Sequence, residues 1–243
     1  MYQEQISGMT TLSFATATHV GNVRDHNEDS YVADDNLKLW LIADGMGGHA
    51  GGEIASALAA DIVSTGIASG VALDEAIQNA HRAILDAVKN GKGKYGMGTT
   101  IVALRMLENS YQLAWVGDSR AYLWSNGLTQ ISKDHSYVQM LVDLGKILPE
   151  EARWHPQKNI ITQSLGSEFL DRLMVDVQQG ELMPGQKLLL CSDGLSDELD
   201  DRMISDIIKA AESDQAAVDA LLSAVLENTA RDNITVILLS VNA

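Results

Sequence analysis

The 243-residue chain contains a single cysteine, Cys191. That excludes an intramolecular disulfide and leaves no material for a thiolate metal site. Cys191 follows Leu188-Leu189-Leu190 and is expected to be a buried strand residue behaving as a small hydrophobe. Cations are scarce as well. Seventeen Lys plus Arg stand against 33 Asp plus Glu, a formal charge of −16 that disfavours nucleic-acid backbones and anionic membrane surfaces. A cationic or metal-mediated partner suits that balance better. No stretch approaches the roughly 18 consecutive apolar residues of a membrane span. The first fifteen residues hold Glu4, no Lys or Arg and no apolar core, so no secretory leader is expected and the cytoplasm is the expected location. The six histidines, at 19, 26, 49, 81, 135 and 155, show no paired spacing, so an imidazole-rich zinc site lacks its ligands.

What the chain does have is three apolar runs that each end on an aspartate beside a glycine: Leu39 to Ala43 before Asp44, Leu113 to Val116 before Gly117-Asp118, and Leu188 to Ser192 before Asp193-Gly194. Short apolar runs read as buried strands, and the Asp and Gly as turns at their ends. Three such endings, with Glu28-Asp29 upstream and Asp232-Asn233 downstream, bring carboxylates to one place. Like charges at that distance repel and protonate unless something compensates them, and a divalent ion is the natural compensation. Ligands that are all oxygen select hard ions such as magnesium or manganese. Two such ions about 4 Å apart generate a hydroxide-like water and clamp a phosphoryl oxygen, the usual arrangement for phosphate-ester hydrolysis.

With 46% apolar and 21% charged residues the chain is expected to fold as one globular domain over 1–243. Residues 11–18 and 30–43 read as strands and Gly51 to about Ser69 as a helix presenting Ile54, Leu58, Ile62 and Val63. Asp74 is placed to cap a second helix ending at Asn90-Gly91. Strands at 99–107, 111–116 and 121–124, with turns at 108–110 and 125–127, are close enough to be antiparallel hairpins. Asp134 is placed to cap a short helix through Leu144, and Gly145 to about Ile160, with Pro149 and Pro156, reads as a surface excursion. Strands near 173–179 and 187–192, helices near 201–211 and 215–229, and a strand over 234–241 complete the chain. Meanders of strands with helices in pairs predict an α+β layered domain.

Seven blocks resemble the metal-dependent protein phosphatases of the PP2C type in their compact bacterial form: Gly21-x-x-Arg24-x-x-Asn27-Glu28-Asp29, Asp44-Gly45-Met46-Gly47-Gly48-His49, Gly98-Thr99-Thr100, Val116-Gly117-Asp118-Ser119-Arg120, Asp134-His135-Ser136, Ser192-Asp193-Gly194 and Arg231-Asp232-Asn233. Each block is weak alone; their order over nearly the whole chain carries the resemblance. It implies a four-layer α-β-β-α sandwich, two central antiparallel sheets flanked by helix pairs, and a flap at about 145–165. It also implies two manganese or magnesium ions, with a third, weaker ion held by Asp118 and Asp193. Asp44 would bridge the two ions, the Gly45 carbonyl would bind one, and Asp193 and Asp232 the other. Glu28, Asp29 and Asn233 would act through metal-bound waters, Arg24 would grip the substrate phosphate, and His49 would protonate the leaving alkoxide. Attack would be a single in-line step by a hydroxide bridging the ions. A phosphocysteine route lacks its Cys-x5-Arg, and Asp44 leads into Gly-Met-Gly-Gly where a phosphoaspartate route wants Asp-x-Asp-x-Thr. The implied substrates are phosphoserine and phosphothreonine proteins, the products of a cytoplasmic Ser/Thr kinase, and the protein is expected to be a monomer. Hydrolysis of a small phosphate ester or phosphotyrosine, and phosphoprotein binding without turnover, are the alternatives.

Overall fold

The computed structural model describes residues 11–47, 51–107, 110–168 and 173–242. Strand β1 (Thr11–His19) precedes a hairpin of β2 (Asp29–Asp34) and β3 (Leu39–Met46). The one strand expected over 30–43 is therefore two. Their turn lacks glycine and proline; the Asp34 carboxylate builds it by accepting the amides of Asn36 and Leu37 at 2.8 and 3.0 Å. Helices α1 (Gly51–Ala68) and α2 (Leu73–Lys89) follow, then β4 (Gly98–Thr99), β5 (Ile101–Leu107), β6 (Ser110–Val116), β7 (Arg120–Trp124) and β8 (Leu128–Gln130). Two short helices, α3 (Tyr137–Asp143) and α4 (Pro149–Ala152), lead to β9 (Asp176–Glu181) and β10 (Lys187–Cys191). The single turn α5 (Asp193–Ser196), then α6 (Asp201–Ala210), α7 (Asp214–Leu226) and β11 (Ile234–Asn242), complete the described fold.

The strands form two antiparallel sheets, ordered β1-β11-β10-β7-β8 and β2-β3-β5-β6-β9, with β4 paired to β3. Alternate residues of one strand face different cores, because side chains alternate across a pleated strand. Leu39, Leu41 and Ala43 of β3 pack on α1 and α2, while Trp40 and Ile42 point between the sheets. Leu238 and Val236 of β11 pack on α6 and α7, while Ile237 and Leu239 meet Trp40 and Ile42 in the middle. Burial on both faces is why these strands read as unbroken apolar runs. The result is the four-layer α-β-β-α sandwich. Cys191 is fully buried, and burial pushes its thiol up to about 12. Among the described residues no helix is long and apolar enough to cross a membrane.

Three local expectations give way to packing. Of the face expected for α1, Val63 is buried and Leu58 and Ile62 pack on the core, but Ile54 is exposed and Ala55 and Ala59 make the closest contact, because a helix pressed between a sheet and α2 needs small residues there. Ala72, not Asp74, is the N-cap of α2; Asp74 lies within its first turn. Ser136 caps α3, its hydroxyl accepting the Gln139 amide, while the Asp134 carboxylate is taken by a bidentate pair with Arg120. The antiparallel partners β5 and β6 are as expected, with residues 108 and 109 of their turn outside the described set. Strands β6 and β7 are not partners: Gly117 to Ser119 carries the chain from one sheet to the other.

Candidate metal centre

Asp29 opens β2 and lies directly opposite Asp44 in the β2–β3 register. Two carboxylates in that relation repel, so the pairing needs outside help. Asp44 is not at a strand end, as its Asp-Gly context suggested. Strand β3 continues through Gly45 and Met46, which pair with Thr99 and Gly98. The Asp44 backbone is held on both sides: its carbonyl accepts from the Thr100 amide at 2.8 Å and the Thr99 hydroxyl at 2.9 Å, and its amide donates to Thr100 Oγ1 at 3.2 Å. Thr100 Oγ1 in turn contacts Ser119 Oγ at 2.7 Å, next to Asp118.

Asp193 enters from the other sheet as the first residue of α5. Ser192 precedes it but does not cap the turn with its side chain; its hydroxyl donates to Asp29 Oδ2 at 3.0 Å and accepts the Thr235 amide. Thr235 Oγ1 also donates to Asp29 Oδ2, at 2.6 Å. Asp29 thus joins the first residue of β2 to Ser192, just past β10, and to β11 in the other sheet. Asp232 precedes β11 and takes Arg24 Nη2 at 2.7 Å. Asn233 ties the preceding loop in place: Oδ1 accepts the Glu28 amide at 2.7 Å, and Nδ2 donates to the carbonyls of Val20 and His26 at 3.0 and 2.9 Å. The segment carrying Arg24 and Glu28 is therefore anchored on the start of β11.

Glycines let these segments touch. A Cβ on Gly52 would stand 2.6 Å from the Gly45 carbonyl carbon and 2.8 Å from Glu28 Oε2, so α1 begins against the Gly45 backbone only because Gly52 has none. Gly194 packs on Asn233 so closely that a Cβ would overlap the Asn233 carbonyl oxygen. Gly194→Ala should therefore destabilise the fold by about 1–3 kcal/mol or more, whereas Gly127→Ala, with open space around it, should be nearly neutral. Thermal denaturation of the two variants checks this; equal midpoints would show that α5 yields without cost.

The electrostatics follow from the crowding. Burial, then the charges of Asp29, Asp193, Asp118 and Asp232, hold the Asp44 carboxyl well above the usual carboxylate range. Burial, then Asp118 and Asp232, do the same to Asp193. Asp29 is pushed up to about 6, mainly by burial and against its two hydroxyl donors. Asp118 is pushed up to about 7 by burial and by Asp134. Three buried carboxylate oxygens, Oδ1 of Asp29, Asp118 and Asp193, have no hydrogen-bond partner. Buried anions without partners are costly. The oxygen donor set and these unpartnered atoms fit hard divalent ions. Among the described residues no three carboxylates or imidazoles stand ready to chelate as they are. Asp232 faces Arg24 in this arrangement, and an ion would have to draw it away.

A family profile described as Protein phosphatase 2C matches residues 18–233. The chain belongs to the protein phosphatase 2C family. It is 38% identical over 237 residues to the serine/threonine protein phosphatase PstP of Mycobacterium tuberculosis, covering 95% of this chain but 45% of that protein, so it spans less than half the length of that relative. It is 36% identical over 239 residues to the serine/threonine phosphatase stp of Listeria welshimeri, covering 93% of this chain and 94% of that one. A crystal structure of the PstP catalytic domain in complex with two manganese ions superposes with a TM-score of 0.85 at 35% identity, covering 96% of this chain and all of that one. In this phosphatase-family chain, nine of the ten residues singled out from the sequence stand at one end of the two sheets. The tenth, His49, lies outside the described residues. Sequence reasoning missed Thr235, which holds Asp29; a threonine two residues beyond the last motif carried no signal of its own. Asp134 and His135 serve the turn instead: His135 Nδ1 accepts the Gly117 amide at 3.1 Å.

Proposed function

We propose that this chain hydrolyses phosphoserine and phosphothreonine in proteins, acting as one metal-dependent catalytic domain on the products of a cytoplasmic Ser/Thr kinase. The observation that supports this most is the convergence of Asp29, Asp44, Asp118, Asp193 and Asp232, with three unpartnered buried oxygens, beside the guanidinium of Arg24. Asp44, the Gly45 carbonyl, Asp193 and Asp232 would hold two manganese or magnesium ions, and Asp118 with Asp193 a third. When bound, such ions lower the pKa of a water to make it the attacking group and withdraw charge from the phosphoryl oxygens.

The chain's own groups do the rest. Arg24 is held protonated by Asp232, and its planar fork suits two phosphate oxygens. Moving from one carboxylate to a phosphate costs it no charge partner. Asn233 positions the segment bearing Arg24 and Glu28 through the bonds of its side-chain amide to that segment's backbone, and Asp29 and Glu28 orient waters at the centre. His49 supplies the proton to the leaving alkoxide. No covalent enzyme intermediate is required, and the only cysteine is buried among leucines. The chain acts as a monomer.

The test is phosphate release from a phosphothreonine peptide with manganese, with magnesium and with chelator. Release should require metal, and phosphothreonine and phosphoserine peptides should outrun a phosphotyrosine peptide. Metal binding without release from any peptide would replace this reading with a phosphoprotein-binding one.

A further inference from the structure

Beside the centre lies a cleft of about 200 Å³ that shares Asp193 and Asp232 with it. Most of its remaining polar wall already has partners. Lys158 Nζ pairs with Asp197 Oδ2 at 2.6 Å. Glu198 Oε1 accepts the Thr229 hydroxyl at 2.5 Å and the Arg231 amide at 3.4 Å. Two groups are left over: the exposed side chains of Asn159 and Arg231, to which no carboxylate, hydroxyl or carbonyl bonds among the described residues. Both offer N–H donors, and one carries a positive charge.

The loop that presents Arg231 is rigidly set. Ala230 is fully buried at φ 42, a conformation an alanine adopts only when its surroundings impose it. Its carbonyl accepts the Asn22 amide at 2.8 Å, and Gly21 has no Cβ because the carbonyls of Ala230 and Asp232 occupy that space. Glu198 holds the same loop from the other side. Arg231 is thus fixed next to Asp232, one residue from the proposed catalytic centre, in a chain whose net charge of −16 would otherwise repel an acidic peptide.

The geometry points to a recognition subsite in this cleft for an anionic side chain of the substrate, close in sequence to the phosphorylated residue, with Arg231 and Asn159 as its donors. The inference rests on the phosphatase reading and adds specificity to it. A guanidinium takes a carboxylate or a second phosphate bidentately, and the amide of Asn159 supplies a further donor.

The experiment compares kcat/KM of the manganese-loaded wild type on phosphothreonine peptides. Each carries alanine, glutamate or a non-hydrolysable phosphonate analogue of phosphoserine at positions two or three residues to either side. At one or more positions the anionic peptides should be preferred roughly threefold to tenfold, mainly through KM, and the glutamate and phosphonate arms show which anion fits better. Arg231→Ala should bring that ratio close to one. Arg231→Glu should favour lysine-bearing peptides instead. Absence of a preference in the wild type at every position, or its full retention in Arg231→Ala, overturns the subsite while leaving the phosphatase reading intact. Failure of the wild type to release phosphate even from the alanine peptide overturns the phosphatase reading, and the subsite with it.

Discussion

Asp193→Asn should lose metal-dependent phosphate release by roughly a hundred- to a thousand-fold, the usual effect of removing one group that stabilises charge in the transition state. The same variant should be more stable than the wild type in chelator. Asp193 is repelled by Asp118 and Asp232, and burial opposes its charge further, so replacing it with a neutral amide of the same shape relieves the metal-free fold. Function and stability then move in opposite directions at one position. Peptide assays with manganese and thermal denaturation with chelator measure the two halves. A variant with near-normal turnover would remove Asp193 from the centre. One with lost turnover and a lower midpoint would mark Asp193 as a scaffold residue.

Stability should also depend on pH in a direction unusual for carboxylates. Asp29 and Asp118 are pushed up to about 6 and about 7 in the fold against 3.8 ordinarily, and Asp44 and Asp193 are also held well above that ordinary value. A folded carboxyl raised above its unfolded value holds more protons than the unfolded chain does. Its stabilising contribution is therefore complete below about pH 4 and is lost as pH rises through 6 and 7. For Asp29 alone the loss is on the order of 3 kcal/mol. Chelated protein should accordingly melt about 10 °C lower at pH 8 than at pH 5.5. Saturating manganese should abolish most of that slope, because ions replace the protons and bind best when the ligands are ionised. A melting point that is flat with pH in chelator would mean that water already screens these carboxylates.

Much of this was legible because strands buried on both faces cannot hide their apolar runs, and because glycines and aspartates punctuate them. What was not legible came from contacts distant in sequence. The Asp44 turn signal was overridden by β4, a two-residue strand that exists only because Thr99 and Gly98 find β3. Asp134 has the chemistry of a cap, but Arg120 takes its carboxylate first. The spacing of β6 and β7 suggested a hairpin; Gly117, at φ 109 and pressed on Thr100, sends the chain to the opposite sheet. The face of α1 was rotated towards Ile54, which is exposed, because periodicity weighs large residues while close packing of a helix on a sheet favours alanine such as Ala55 and Ala59. The carboxylates converge all the same, because Asp29 and Asp44 lie in strands and Asp118, Asp193 and Asp232 lie beside the ends of others.

Strand β1 pairs along its whole length with β11, and the hydroxyls of Thr18 and Thr235, 217 residues apart in sequence, meet at 2.9 Å across that pairing. During synthesis β1 therefore has no partner until β11 emerges, and contacts this non-local form late. Asp232 and Asn233 arrive with β11, so the loop bearing Arg24 and Glu28 has nothing to fasten to until then. A nascent or truncated chain lacking this strand would have neither a completed sheet nor an assembled centre, which ties the onset of activity to the completion of the fold.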